Sequence, residues 1–464
     1  MIWYTVCKFL FKAITFLTTP IFARLLTKQE LGDYSNYLSW VLILIVLTAW
    51  DLQTSIIRSK LEHDADMNSY VISILVLTTI VTAVFYVSFL IFPEFYENLM
   101  QTDAKYIHVM FAYLFATPAY DMLITKQRAY YHYKMFVLLT GITIVSSTLL
   151  SVLLVIIMDD KYAGRVYGSM LPYVVIGLII YIYLATRGGK VKLKYWRYAT
   201  VICLPLVPHL LSFNLLSSSD KIILTQISGA EYTAIYSIAY NCYAIATTLQ
   251  SSMVQALGPW LMDNLHAKNY RGIRKGANNF FLIFTALIFG LLLLVPEVIW
   301  IFGGEQYAAA VYCLPPLLMS ICFQFAYTMY VNVEFFMKKT GGVAMATMLA
   351  AAANIALNYW LIPKAPEQGY IIAAYTTLVG YALMLLFHYL LVRRMKMSFV
   401  YDLRSFLAIL TAFCVAALLM NGLYGMSFWI RYIIVLIYGI AVLAVMYKNK
   451  EQIKKLLGRK SKRT

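Results

Sequence analysis

RLLTKQELGDYSNYLSW, residues 24–40, is a short charged and polar passage between two long apolar runs, and KIILTQISGAEYTAIYSIAY, residues 221–240, has a related form. Aligned on their Tyr-Ser pairs, Gly32, Tyr34 and Ser35 correspond to Ala234, Tyr236 and Ser237. The lag of about two hundred residues is read as a repeat period, which implies two halves of similar design. In a chain with 38 tyrosines a Tyr-Ser pair also recurs by chance. The repeat therefore rests on whether the flanking spans repeat as well.

The chain is 62% hydrophobic and only 13% charged, with a mean hydropathy of +0.72. A soluble globular domain of this length would not have that balance. Apolar runs of about 20 residues recur along nearly the whole length, enough for a helix to cross a hydrocarbon core roughly 30 Å thick. No series of alternating ten-residue segments suggests a barrel. The reading is all-α, a polytopic membrane protein of about fourteen transmembrane helices.

Spans are expected at 3–24, 34–57, 70–92, 106–125, 137–158, 166–186, 199–226, 233–257, 279–302, 308–332, 343–362, 370–392, 405–422 and 428–447. This divides the chain into an N-terminal six-helix lobe (1–198), a C-terminal six-helix lobe (199–404), two additional helices (405–447) and a basic tail (448–464). Of the 38 Lys and Arg residues, 28 fall in alternate connections and the tail, and six in the opposite set. By the positive-inside rule the basic side is cytoplasmic, which puts both termini inside. The net charge of +17 thus reads as membrane orientation and not as nucleic-acid binding. Lys8 and Lys12 interrupt the first apolar run, no small-residue cleavage site follows, and the first span is expected to remain in the mature chain.

The expected outward connections are all short, so an outward-facing enzyme would lack a loop to carry its acid and base. No P-loop, HExxH or metal-ligand cluster occurs, which argues against ATP as the energy source and against a cofactor. The six cysteines lie in or at the ends of apolar runs without a CxxC pair and read as small packing residues.

Ionisable residues at membrane depth are the functional candidates, because a charge at the bilayer centre costs roughly 2.5–3.5 kcal/mol on insertion scales. Thr5, Lys8, Lys12, Thr15 and Thr19 follow at three- and four-residue steps on one helix face leading to Arg24. The competing reading is that Lys8 and Lys12 snorkel to the cytoplasmic surface. In the second span Thr48, Asp51, Ser55 and Arg58 would share a face, with a structural pairing of Asp51 to Arg58 or Lys12 as the alternative. The seventh span carries Pro205, Pro208, His209, Asp220 and Lys221, a polar and proline-bent segment of the kind found beside transporter sites. His209 is equally a satisfied core histidine, and Asp220 and Lys221 an interfacial span end. On the eighth span Tyr232, Tyr236, Tyr240 and Tyr243 line one face, followed by Thr247 and Gln250. They offer rings and hydroxyls to a sugar or serve as ordinary packing.

The opening span followed by RLLTKQELGDYS (24–35), together with LPLVPHLLS (204–212), SDKIILT (219–225) and YSIAY (236–240), resembles the Wzx-type polysaccharide repeat-unit flippases, the O-antigen flippases of the multidrug/oligosaccharidyl-lipid/polysaccharide exporter superfamily. Ala234 departs from the glycine usual before the Tyr-Ser pair. The resemblance implies two pseudo-symmetric six-helix lobes around a cavity, two further helices, and a bacterial inner-membrane location. It implies a substrate of short oligosaccharide on undecaprenyl diphosphate, surrounding membrane lipids, and pathway partners such as polymerase and chain-length proteins, with a monomeric transport unit. On this reading Lys12 and Arg24 receive the diphosphate. Asp51, His209, Asp220 and Lys221 are candidates for ion coupling or the cavity, and Tyr236, Tyr240, Tyr243 and Gln250 for facing the sugars. The rivals are a multidrug and toxin extrusion antiporter, which shares the architecture, and a membrane glycan polymerase.

Overall fold

The computed structural model describes residues 14, 16–187, 189–339, 341–425 and 428–448. Lys8, Lys12 and the tail from 449 lie outside the described residues. Among those described there is no strand. The helices of the first part are α1 (Phe16–Leu25), α2 (Lys28–Ala49), α3 (Ser55–Glu62), α4 (Met67–Ile91), α5 (Pro93–Met100), α6 (Ala104–Ala129), α7 (Tyr133–Ile157), α8 (Lys161–Ala185) and α9 (Leu193–Cys203). Those of the second are α10 (Val207–Ile227), α11 (Ala230–His266), α12 (Tyr270–Leu293), α13 (Val295–Gly303), α14 (Leu314–Phe336), α15 (Gly341–Leu361), α16 (Gly369–Arg394), α17 (Leu403–Leu423) and α18 (Phe428–Lys448).

Eleven segments are long and apolar enough to cross a membrane. With α1, α11 and α18 they fall on the fourteen expected spans, and the chain is a multi-pass membrane protein. Several expected spans are not single helices, among them the ninth, which passes from α12 to α13 at Leu294. The second breaks after Ala49, where Trp50 and Asp51 both adopt left-handed backbone angles (φ 49° and 51°) before a short 3-10 turn. Thr48, Asp51, Ser55 and Arg58 therefore do not share a helix face. The seventh is two helices, α9 and α10, either side of the 3-10 turn Leu204–Leu206, where Pro205 and Pro208 interrupt the ladder of backbone hydrogen bonds.

Local chemistry sets the start of α2. Thr27 Oγ1 accepts from the Glu30 amide at 3.2 Å while Glu30 Oε2 accepts from the Thr27 amide at 2.7 Å, a reciprocal capping box. Tyr34 on α2 and Tyr236 on α11 each lie six residues past the first helical residue. The aligned sequence pairs thus occupy equivalent helical positions.

With lipid on the outside, burial from water does not drive helices together, and close backbone packing takes over. The Gly164-x-x-x-Gly168 step of α8 lets it lie against α7. A Cβ on Gly168 would fall 2.3 Å from Ser151 Cα, and one on Gly164 2.8 Å from the Leu154 carbonyl. The opposite face of α7 sends Leu138, Ile142, Val145, Leu149, Leu153 and Ile156 outward, an apolar stripe suited to lipid. In contrast, 83% of the apolar stretch of α14 is buried, against 17% for α7, which makes α14 the central helix of the second part.

The buried apolar side chains divide at the Leu204–Leu206 turn. Two clusters draw on residues 34–203, with Tyr195, Ala199 and Cys203 of α9 among them. The others draw mainly on residues 216–420, joined by Phe22, Ala23, Leu26 and Leu31. Side-chain bonds within the first part tie one end together at Asp66, where Lys192 Nζ lies 2.5 Å from its carboxylate. Bonds between the two parts gather at the opposite end, near Thr27. There Gln226 donates to the Leu99 carbonyl at 2.8 Å and Gln306 to that of Ala23 at 2.6 Å. Asn214 donates to the Leu42 carbonyl at 2.8 Å at about mid-depth.

At the Thr27 end α2 and α11 meet over Gly32, where a Cβ would lie 1.7 Å from the Ala230 carbonyl oxygen. Gly32→Val is expected to destabilise the purified protein by about 1–3 kcal/mol, read as a lower midpoint of thermal unfolding. Gly258→Ala, whose new methyl meets nothing within 4 Å, is expected to leave the midpoint unchanged.

Candidate functional site

Asp220 is fully buried in α10, and both of its oxygens are used. Oδ1 accepts from Asn358 Nδ2 at 2.6 Å, and Oδ2 from Tyr236 OH at 2.6 Å and Thr377 Oγ1 at 2.5 Å. Around it Thr376 Oγ1 donates to Asn358 Oδ1 at 2.5 Å, and Ser219 Oγ to Asn354 Oδ1 at 3.3 Å. Four helices, α10, α11, α15 and α16, thus bring a carboxylate, two carboxamides and four hydroxyls together in an apolar surround. Hydrogen bonds to the charged form are what let a carboxylate persist away from water. The oxygens suit a hard cation or a proton. Among the described residues no group of three or more His, Cys, Asp or Glu side chains is arranged for a metal. Asp220 is thus enclosed by protein on all sides. Its partners Asn354, Asn358, Thr376 and Thr377 went unread in the sequence, where the only trace is an Asn-x-x-x-Asn step and a Thr-Thr pair inside apolar runs.

Lys221, next in sequence, places its ammonium 4.7 Å above the Tyr240 ring, one turn along α11 from Tyr236. Tyr240 is the middle of a ladder, its ring 6.0 Å from Tyr236 and 5.3 Å from Tyr243. Tyr236 is fully buried and gives its hydroxyl to Asp220, and Tyr243 is buried and donates to Gln324 at 3.3 Å. Neither presents a ring to a sugar in this state, and Gln250 is likewise buried. Half-buried Tyr240 remains accessible. Tyr232 leaves the row to stack on Tyr370.

Asp51 accepts from Gln53 Nε2 at 2.5 Å and Thr54 Oγ1 at 2.6 Å, holding the turn after α2. Arg58 pairs instead with Glu62 at 3.1 Å, so the alternative Asp51 to Arg58 bridge does not form. His209 is half-buried near the start of α10, and its Nδ1 is buried with no partner among the described residues.

Arg24 ends α1 with its guanidinium on backbone carbonyls, at 2.9 Å from Pro20 O and 3.2 Å from Ile301 O. The latter lies in the last turn of α13, where a cation complements the helix dipole. Nearby, Lys161 Nζ donates to the Leu25 carbonyl at 3.1 Å. Deeper in the same corner is Arg165 of α8. Its guanidinium carbon lies 3.6 Å from the Phe22 ring centroid and 4.5 Å from that of Tyr34. Its Nε is buried without a hydrogen-bond partner among the described residues. Cation–π contact offsets part of the desolvation of a guanidinium but leaves its planar fork of donors free for an anion.

A family model described as polysaccharide biosynthesis protein matches residues 1–265. No curated protein matches the chain in sequence. Among solved structures, one titled lipid II flippase MurJ in an inward closed conformation superposes with a TM-score of 0.71, covering 98% of this chain and 100% of that one at 13% identity. An inward-facing multidrug resistance MATE family transporter of the MOP superfamily gives 0.62, covering 84% of this chain and 95% of that one at 13% identity. A MOP superfamily transporter from Pyrococcus furiosus, whose title reports a binding pocket of reverse polarity, gives 0.52, covering 85% and 93% at 14% identity. At these identities the likeness is one of fold. The chain has the architecture of the MOP superfamily transporters, and its sequence, matched over more than half its length, belongs to the polysaccharide biosynthesis protein family.

Proposed function

We propose that the protein is a flippase that carries undecaprenyl-diphosphate-linked oligosaccharide from the cytoplasmic to the outer leaflet of the bacterial inner membrane, by alternating access of its two six-helix lobes. The observation that carries this reading is Arg165, held between two aromatic rings where α1, α2 and α8 meet, without a carboxylate partner among the described residues. A guanidinium enclosed by aromatic rings without a counter-ion calls for an anionic ligand, and it matches the paired oxygens of a diphosphate. The expected diphosphate role of Lys12 and Arg24 extends the same corner along α1. Tyr240 and Lys221 offer a ring and a charge to the oligosaccharide.

In this reading both termini are cytoplasmic, the Thr27 end faces outward, and the contacts over Gly32 close the outer side. The lobes rock about the Leu204–Leu206 turn. With the cytoplasm negative, each net negative charge moved outward gains roughly 2.3 kcal/mol per 100 mV, and Asp220 adds coupling to an ion. The whole is a transporter of repeat units for O-antigen, capsule or exopolysaccharide, working alongside polymerase and chain-length proteins, and not itself an enzyme. The fold also favours a second reading, a multidrug and toxin extrusion antiporter, whose cationic cargo would be repelled by Arg165.

Three outcomes test the reading. Deleting the gene is expected to build up radiolabelled lipid-linked oligosaccharide on the cytoplasmic face, relieved by the intact gene. Unchanged leaflet distribution with reduced export of a cationic dye would favour the antiporter instead, and build-up on the outer face would point to polymerisation. Arg165→Ala is expected to weaken the diphosphate contact by about 1.5–3 kcal/mol, roughly 10- to 100-fold. It would show as restored build-up with normal protein in the membrane. Asp220→Ala leaves three buried donors without an acceptor, at about 1–3 kcal/mol each. It is expected to melt below Asp220→Asn, which keeps an acceptor oxygen but loses the ion dependence of flipping in reconstituted vesicles.

A further inference from the structure

Glu334 of α14 and His388 of α16 are both completely buried, with Oε1 and Nδ1 2.8 Å apart. The other atom of each group, Glu334 Oε2 and His388 Nε2, is buried with no partner among the described residues. Leaving a buried polar atom unpaired costs about 1–3 kcal/mol. A pair built only to brace two helices gains nothing from two such atoms. No Lys or Arg makes an ion pair with it among the described residues.

The surroundings are polar, and the charged groups nearest in sequence, Lys338 just past α14 and Arg393 and Arg394 in the last turn of α16, make no ion pair with Glu334 or His388. On the pair's own helices, Tyr327 stacks on the His388 ring at 5.3 Å and on Tyr381 at 6.3 Å, and Tyr330 packs against Tyr389 at 5.9 Å. From α10, His209 lies within electrostatic reach of His388 and has its own buried, unpartnered Nδ1. From α11 comes Tyr243, and from the passage before α17 comes Tyr401, whose hydroxyl donates to the Met329 carbonyl at 3.0 Å. α15 carries no charged residue. The Arg274 side chain of α12 is turned onto the Phe399 carbonyl at 2.7 Å, and α17 has its one charged residue, Arg404, in its first turn.

We propose that Glu334 and His388 form a proton-binding site, distinct from the Asp220 cluster, whose loading and unloading accompany the transport cycle. The 2.8 Å contact holds one proton between Oε1 and Nδ1, and with that proton alone the buried pair carries one net negative charge. A second proton, taken from hydronium, forms an N–H bond at Nε2 or an O–H bond at Oε2 and makes the pair neutral. Release returns it to water and restores the charge. His209 is some 11 residues, about 16 Å along α10, from Asp220. The second lobe thus holds two titratable sites at different depths, as a carrier needs when it takes up a proton on one side and yields it on the other.

The inference rests on the transporter reading, and its test separates the two. The purified full-length chain is taken between about pH 5 and 8, where histidine-linked sites titrate, and infrared difference spectra and proton uptake are recorded for wild type, Glu334→Gln and His388→Gln. Each variant is expected to lose roughly one proton per chain of the wild-type uptake, and Glu334→Gln also its carboxyl band. A brace alone would lower the melting temperature of both variants and leave uptake unchanged, which overturns the proposal. In vesicles containing a pH dye and supplied with lipid-linked oligosaccharide extracted from deletion cells, the variants are expected to flip it without moving protons. Wild-type proton uptake without any flipping of that lipid would uphold the site and overturn the substrate. Variants that flip the lipid with unaltered proton movement would overturn the site and uphold the substrate.

Discussion

The oxygen of Ala230 occupies the space where any residue but glycine at position 32 would put its side chain. That single approach brings the first turns of α2 and α11 together, and much of the inter-lobe contact follows from it. Phe22, Ala23, Leu26 and Leu31 join the apolar cluster of the second part of the chain where α2 starts against α11. The carbonyl of Leu99 comes within reach of Gln226, and that of Ala23 within reach of Gln306, along the same seam. In lipid, such seams depend on close packing and on polar groups that would otherwise have no partner, because there is no water to exclude.

The same rule governs the polar interior. The carboxylate of Asp220 is tolerated because α11, α15 and α16 each aim a donor at it. The guanidinium of Arg165 has rings but no carboxylate, and the Glu334–His388 pair is satisfied on one side only. These three levels of satisfaction, complete, partial and one-sided, separate a group held in place from groups kept ready for a partner.

Span number and the alternation of basic connections were legible because length and apolarity decide which segments cross a bilayer. The prolines at 205 and 208 also announced a broken seventh span. The break after Ala49 was not legible, because the left-handed angles at Trp50 and Asp51 come from no glycine and are held by Asp51's bonds to Gln53 and Thr54. Asp220 was visible as an ionisable residue in a long apolar stretch, but two of its three donors lie more than a hundred residues away on α15 and α16. Tyr236 shows the limit of periodicity: it lies in a row with Tyr240 and Tyr243, while the acceptor that takes its hydroxyl belongs to a different helix. Arg165 was missed because it sits among loop cations in sequence and between rings in space.

Because α9 shares the apolar clusters of the first part of the chain while α10 packs with the second, the seam between them lies inside one expected membrane crossing. Biosynthesis then has a fixed order. The first part lacks Tyr195, Ala199 and Cys203 until α9 leaves the ribosome, so its core closes only as the Leu204–Leu206 turn emerges. α10 enters the membrane next to a wall already assembled, and its Asn214 finds the Leu42 carbonyl waiting there. The second part of the chain is thus made after the surface it packs on.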